Sequence, residues 1–600
     1  MDYSDRKYVI GTMIVVVALV FIVRLFFIQV VDEQWKAKAA NISERKITIY
    51  PARGLIYDRF GKLMVGNTAV YDLMVIPKDV GNLDTALFCK VVDVTRQQFR
   101  EKMTTARKYS LYKPSIFEKQ IPADQYARIA EQMHHFNGFY SQSRTLRSYP
   151  DSIAAHLLGY VSEASRANIE KDPYYRPGDY IGANGVENIY EKALRGKRGS
   201  KLVVVDVHNR VQGSYKEGRY DTMAYAGKDL TASIDLELQK YGEALLKNKR
   251  GSIVAIEPAT GEILAMVTNP SYNPNLLVGR VRSANYQKLA KDTLNPLFNR
   301  AVMAQYPPGS TFKLVNALIG LEEETITTRS YYTCNMGYYY GSRRLGCHAH
   351  NSHTGFHYSI ETSCNAYYCH VFKGIIDKYP NAETGYNHWR DYVLNFGLGQ
   401  KLGVDITSEV SGFVPPSTYY DRYYGQHRWK PHTIISLAIG QGELGVTPLQ
   451  MANMCAVIAN RGWYYAPHVI RAIDGEPITD STYTVKNHTG IDPKWFEETI
   501  QGMHQVIERG TGRGAKFGDI EMCGKTGTAQ NPHGKDHSIF IAFAPKDNPQ
   551  IAMAVYVENV GFGSTWAAPI TSLMIEKYLT DSISRPHIEQ RMLDANLLNN

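Results

Sequence analysis

A serine followed three residues later by a lysine is a small unit that can carry lysine-assisted nucleophilic chemistry. This chain contains it four times, at Ser4, Ser43, Ser110 and Ser310. A serine hydroxyl is a poor nucleophile until a base takes its proton, and a lysine can be that base only if burial or nearby positive charge lowers its pKa. A buried helix start keeps the ammonium dry, and side chains at i and i+3 share one face about a turn apart, so the lysine can reach the serine. Ser310 alone opens such a run, with Phe312, Val315, Leu318 and Ile319 at core-facing spacing after Pro307, Pro308 and Gly309. Lys113 is followed by Pro114, which disfavours helix at the lysine. Ser4 and Ser43 flank an apolar N-terminal segment. Taken alone, YPPGSTFKLV reads more readily as a helix-capping serine beside a snorkelling Lys313 than as a nucleophile.

Two later tripeptides change that reading. SCN stands at 363 to 365, although S-x-N recurs as SYN at 271 and SAN at 283. KTGT stands at 525 to 528, just before the strand-like HSIFIAFAP, and KTG occurs once. S-x-x-K, S-D-N and K-T-G together form the set shared by penicillin-binding proteins and class A β-lactamases, and their counterparts occur here in that order.

On these motifs the chain resembles a class B penicillin-binding protein from its N-terminal apolar segment to about residue 575. PARGLIYDRFGKLMVGN at 51 to 67 and GANGVENIYEKALRG at 182 to 196 are similar to segments of the family's pedestal domain. PPGSTFK, SCN, GQGELGVTPLQMA and GKTGTAQ are similar to its transpeptidase boxes, in family order. No E-D-x-x-F-x-x-H-x-G box of a glycan-polymerising class A member is present. The resemblance implies a peptidoglycan D,D-transpeptidase that is acylated by β-lactams and cross-links strands made by another enzyme. Ser310 would attack the D-Ala-D-Ala carbonyl of a stem peptide with Lys313 as base. Ser363 would relay a proton to the leaving amine, and Asn365 would bind Lys313 and the substrate backbone. Lys525 would help keep Lys313 neutral, and Thr526, Gly527 and Thr528 would hold the substrate, the two threonines at its terminal carboxylate. Backbone N–H groups of Ser310 and Thr528 would form the oxyanion hole. Length and the extracytoplasmic insertion resemble the penicillin-binding protein 2 type of cell elongation and shape maintenance more than the division-specific type. That type implies a SEDS-family, RodA-like glycan polymerase as partner. The alternatives are a carboxypeptidase or β-lactamase that uses water as acceptor, or a non-enzymatic β-lactam sensor. A sensor needs an output domain that seven N-terminal residues do not supply.

The elements that must position these residues follow from pattern. GSIVAIEP and GEILAMVTNP flank a turn signal and predict a hairpin, as do HSIFIAFAP and QIAMAVYVEN. TFKLVNALIGLEE and TPLQMANMCAVIANRG between them predict helices. The fold class is therefore α+β, one antiparallel sheet built from distant parts of the chain with a helical lobe against it. The expected domains are a cytoplasmic tail and membrane anchor over 1–31, then a pedestal over 32–225 with an inserted head at about 85–147. A transpeptidase domain over 226–580 and a tail over 581–600 complete the chain. The segment from Tyr8 to Val31 carries one charge, Arg24, and at 1.5 Å per residue it reaches about 36 Å, enough to span a bilayer. Arg6 and Lys7 put the N-terminus in the cytoplasm and the catalytic domain outside the inner membrane. A net charge of +9 over 600 residues, without a zinc-finger, RNP or dense basic stripe, does not single out nucleic acid.

Three further features carry expectations. Cys334, Cys347, His350 and Cys364 crowd the stretch before SCN and form a candidate structural zinc site, with His348 or His353 as substitutes. A Cys334 to Cys347 disulfide is the competing reading, and catalysis itself calls for no cofactor. Ile539 stands where many relatives carry an aromatic residue, which predicts a differently shaped groove rim. STYYDRYYGQHRW at 417 to 429 reads as a packed surface loop or a groove lining.

Overall fold

A computed structural model describes residues 6–27, 44–205, 211–532 and 534–598. The N-terminal helix Arg6–Phe26 is apolar from Tyr8 to Phe26, 19 residues or about 28 Å, enough to cross a bilayer. Residues 28–31, the end of the expected span, lie outside the described residues, as do Ser4 and Ser43.

The chain divides into two compact units. The first comprises Met1–Arg53, Thr68–Leu146 and Arg195–Gly227. It holds an antiparallel sheet of Glu44–Ile49, Gly199–Val205 and Val211–Ser214. The polar, basic head has its own core: Phe88 packs against Phe99, Phe117, Phe136 and Phe139 at ring-centroid distances of 4.5 to 5.3 Å. Leu73, Val75, Met103 and Ile129 close around them.

The second unit takes Gly54–Asn67 and Arg147–Leu194 as well as Lys228–Asn600. The reason is burial. Val186, Leu157, Leu158 and Leu194 join the main catalytic core. Arg147, fully enclosed, pairs with Glu187 at 2.6 Å and donates to the Gly54 carbonyl at 2.7 Å. The expected C-terminal tail is likewise structured: Pro586–Asp594 is a helix whose Met592 is buried, and Lys249 Nζ donates to the Ala595 carbonyl beyond it. Ile588, Met592 and Leu593 carry the apolar spacing that makes this helix pack.

The centre of this unit is a five-stranded antiparallel sheet in the order Ile263–Asn269, Gly251–Ile256, Ile551–Val557, His537–Ala544, Cys523–Ala529. Both expected hairpins are present within it. Strand alternation sends Ile253, Ala255, Phe540 and Ala542 to one core and Val254, Ile256, Ile539 and Ile541 to the other. Helices Leu236–Leu246 and Ala567–Thr580 belong to the first of these cores. Pro448–Ala459 and the lobe containing Lys313–Glu322 and Asn365–Asp377 belong to the second. Cys523–Ala529 ends the strand order, so its outer edge is left open toward the lobe.

Candidate active site

The nucleophile segment begins with a 3-10 turn, Gly309–Phe312, that continues as the α-helix Lys313–Glu322. Thr311 Oγ1 closes the turn by donating to the Pro308 carbonyl at 2.7 Å. Gly309 has φ +59°, and a Cβ there would stand 2.7 Å from the Thr528 carbonyl oxygen, so only glycine fits. Ser310 is partly exposed and is among the first residues of the helical segment, where N–H groups have no intrahelical acceptor. Lys313, one turn on, is completely buried.

Lys313 Nζ donates to the Ser363 carbonyl at 2.7 Å, Ser363 Oγ at 3.1 Å and Asn365 Oδ1 at 2.5 Å. Three bonds use all three protons of an ammonium. To accept the Ser310 proton, the amine must first be neutral. Burial moves it that way, lowering its pKa to about 8. Lys525 is also fully buried, and burial together with the Lys313 charge lowers its pKa well below the ordinary lysine value.

The second motif is held by backbone geometry. Ser363 has φ +58°, a left-handed conformation uncommon outside glycine, fixed by bonds from Ser363 N to Ile360 O and from Cys364 N to Ser359 O. Cys364 then caps the helix Asn365–Asp377 through the Tyr367 N–H. Asn365 Nδ2 donates to the Gly346 carbonyl at 2.6 Å, which leaves Oδ1 facing Lys313.

The third motif lies on the open edge strand. Gly527 is in register with Ile539 of the neighbouring strand, while the Thr528 carbonyl accepts Gln441 Nε2 at 2.9 Å and the Thr526 carbonyl accepts Lys525 Nζ at 3.2 Å. Within one strand residue, N–H and C=O leave on the same edge. The Thr528 N–H therefore faces outward, beside the Ser310 turn. Thr526 Oγ1 shares a 2.7 Å hydrogen bond with Thr511 Oγ1. Gln441 and Thr511 are the residues that motif reasoning missed. Gln441 lies inside the quoted GQGELGVTPLQMA box, and Thr511 inside RGTGRG, without any marker of its own in the sequence.

Two expectations are corrected. Ile539 is fully buried, facing Gly527, and forms no rim; the exposed aromatic of this neighbourhood is Phe562, edge-on to His348. The tyrosine-rich stretch is a helix, Ser417–Tyr424, and Tyr420 is buried against Tyr386 and Trp429. The S-x-N decoys also separate from the site: Ser283 lies on the exposed helix Arg282–Lys291, and Ser271 faces His156.

Beside the second motif, one ligand atom each from Cys334, Cys347, His350 and Cys364 lie within 4.8 Å of one another. All seven cysteines are free thiols, so the disulfide reading does not hold in this structure. His350 Nδ1 faces the Asn351 carbonyl at 2.7 Å, and its Nε2 is buried. His353 stacks instead on Tyr331. Cys347 Sγ accepts the N–H groups of Asn365 at 3.2 Å and Ala366 at 3.3 Å. A hydrogen bond from Cys364 and the N–H of Ala366 lower the Cys347 pKa.

Known proteins match this arrangement along most of the chain. A family model for the penicillin binding protein transpeptidase domain matches residues 251–576, and one for the penicillin-binding protein dimerisation domain matches 48–232. The peptidoglycan D,D-transpeptidase MrdA of Acinetobacter baumannii is 32% identical over 97% of this chain and 89% of its own length. A penicillin-binding protein PBP2 of Helicobacter pylori, solved in complex with MreC, is similar at TM-score 0.73 and 26% identity, covering 89% of this chain and 99% of its own. A chain from a solved peptidoglycan synthase complex, described as coordinating polymerization and crosslinking, is similar at TM-score 0.72 and 26% identity. It covers 97% of this chain and 100% of its own.

Proposed function

We infer, from the premise that this chain belongs to the penicillin-binding protein transpeptidase family, that it is a peptidoglycan D,D-transpeptidase working through an ester on Ser310. The observation that carries the assignment of residues is Lys313, dry and saturated by Ser363 and Asn365, one turn from Ser310. In its neutral form Lys313 takes the hydroxyl proton as Ser310 Oγ bonds to the penultimate D-alanine carbonyl. The tetrahedral oxyanion is held by the N–H groups of Ser310 and Thr528, each donor of this kind being worth roughly 3 to 4 kcal/mol. Collapse breaks the amide C–N bond, and the proton passes from Lys313 through Ser363 Oγ to the leaving D-alanine amine. An amine from a second stem peptide then attacks the ester, restoring the Ser310 hydroxyl. Lys525 lies close enough to Lys313 for the Lys313 charge to lower its pKa, which supports a single positive charge shared by the pair. The hydroxyls of Thr526 and Thr528 suit the substrate's terminal carboxylate. A β-lactam enters the same first step, its ring C–N bond breaking in place of the peptide.

The apolar helix Tyr8–Phe26 supports membrane anchoring, and Arg6 and Lys7 favour a cytoplasmic N-terminus with the catalytic unit in the periplasm. Likeness to a synthase chain over nearly the whole length supports a SEDS-family, RodA-like glycan polymerase as partner, and an elongation role. A tagged protein confined to midcell would remove the elongation role.

The cysteine and histidine group suits zinc: three sulfurs and one imidazole make a closed tetrahedral set, and the second ring nitrogen of His350 is fixed by a carbonyl, as metal-bound histidines usually are. Cys334, Cys347, His350 and Cys364 would hold the ion, which would supply folding energy to the loop under Asn365. Metal analysis of protein purified without chelator should give one zinc per chain, and Cys334→Ser should lower it. A metal-free, fully folded preparation would defeat the assignment.

The central test is labelling of the whole protein with a fluorescent penicillin. Native protein should carry a lasting label, and Ser310→Ala none. A label that persists in the variant overturns the nucleophile, and rapid loss from native protein favours a β-lactamase.

A further inference from the structure

The two oxyanion donors come from parts of the chain more than two hundred residues apart, so something must hold their spacing. We propose that Gln441 is a positioning residue that sets the distance between them. This inference rests on the acyl-enzyme reading given above.

Residues 440 to 446 run alongside the segment before the nucleophile and are tied to it at both ends. Tyr306 and Val446 exchange backbone hydrogen bonds at 3.0 and 2.8 Å, and Gly309 N donates to the Gly440 carbonyl at 2.8 Å. The approach at the second tie leaves no room for a side chain. A Cβ on Gly440 would stand 2.2 Å from the Gly309 carbonyl oxygen, and one on Gly309 would stand 2.7 Å from that of Thr528. Three backbones thus meet at van der Waals limits around the peptide that precedes Ser310.

Gln441 is the side chain that turns this proximity into a tether. Its backbone is fixed by a bond from its N–H to the Ser436 carbonyl at 3.0 Å, between Gly440 and Gly442, both in left-handed conformations. From there its amide Nε2 crosses to the edge strand and donates to the Thr528 carbonyl at 2.9 Å. Thr528 N–H and C=O leave on the same edge, so holding the carbonyl also fixes the direction of the N–H that faces the oxyanion. A carbonyl has two lone pairs, so the tether leaves one for a ligand. Gln441 need not touch the reacting atoms. It joins the loop that carries Ser310 to the strand that carries Thr528, without which the edge would be free to move as the ester forms.

Chemistry at this position is demanding in one respect. The donor must be an N–H, because the partner is a carbonyl and the nearby charge in the transition state is negative. A glutamate of the same shape would face the Thr528 carbonyl with an acceptor and add a like charge.

The test uses the full-length protein in detergent and a slowly released penicillin carrying carbon-13 at its β-lactam carbonyl. Infrared difference spectra read the ester carbonyl on Ser310, whose stretch falls as hydrogen bonds to it shorten. Acylation kinetics read the first step, separated into initial binding and bond formation. Native protein should show one low-frequency ester band. Gln441→Met, which keeps the bulk and removes the donor, should shift the band upward or split it. It should slow bond formation by about tenfold, below the 10²- to 10³-fold seen when an oxyanion donor is itself removed. Gln441→Glu should slow it further, and initial binding and melting temperature should stay near the native values in both. An unshifted band with native acylation in Gln441→Met overturns the proposal, since a filler role survives that substitution. Equal behaviour of Gln441→Glu and native protein overturns it too. If native protein forms no ester on Ser310 at all, the underlying function falls before Gln441 is in question.

Discussion

Ser310 and Ser110 share one spacing to a lysine and nothing else. Ser110 ends the helix Arg96–Tyr109 with an extended backbone, and its Oγ accepts the N–H groups of Tyr112 and Lys113 at 3.2 and 3.0 Å. That oxygen is spent on a turn, and Lys113 stands in solvent. Ser310 enters a helix instead of leaving one, so its lysine falls one turn inward and is buried. In the head, the lysine side chain is open to water. In the lobe, three oxygens replace that water, and burial lowers the pKa of the lysine. The tetrapeptide is a spacing, and the direction of the helix decides whether the spacing becomes a base.

This contrast can be broken most severely at the lysines. Lys313→Ala should slow penicillin acylation by about 10²- to 10⁴-fold, the usual share of a general base, whereas Lys113→Ala should leave it at the native rate. Stopped-flow labelling measures both, and a loss at Lys113 would end the distinction. The next effect is pH. A lysine lowered from its usual 10.5 to about 8 is mostly protonated at neutral pH and becomes competent as it loses that proton. The acylation rate should therefore rise about tenfold per pH unit below 8 and level off above it. A flat profile from pH 6 to 9 would mean that Lys313 is neutral throughout or is not the base. The smallest effect lies in the head: Ser110→Ala, which removes a turn acceptor, should cost about 1 kcal/mol of stability and no acylation, read by denaturant melts of the whole protein.

The motifs, both hairpins and the central helices were legible because each rests on local pattern or on short strings of residues that chemistry requires. What escaped was set by contacts between distant segments. Ile539 reads as a rim residue from its place after KTGT, but strand alternation turns it inward against Gly527. Residues 147 to 194 precede the linker-like stretch, and nothing in their sequence marks that Leu157, Leu158 and Val186 pack into the same core as Phe312 and Leu314. The C-terminal helix was overlooked although Ile588, Met592 and Leu593 carry its spacing, since nine residues between polar ends make a weak signal. Gln441 and Thr511 have no spacing to mark them, because each acts across the fold on one atom of the edge strand. The cysteine and histidine group lay between these cases. Its four members, His350 included, were visible in the sequence, and what was not visible was that the substitute His353 stacks on Tyr331.

An open strand edge that admits a peptide also invites another sheet, and edge-to-edge pairing is a common start of aggregation. Cys523–Ala529 is such an edge, yet two of its outward carbonyls already accept bonds from Lys525 and Gln441. A second β-strand needs donors and acceptors in alternation, and here part of the acceptor row is engaged. One side chain of the strand itself and one from the 440–446 segment thus discourage self-association while the Thr528 N–H stays turned outward, so edge protection and substrate access are reconciled along a single seven-residue segment.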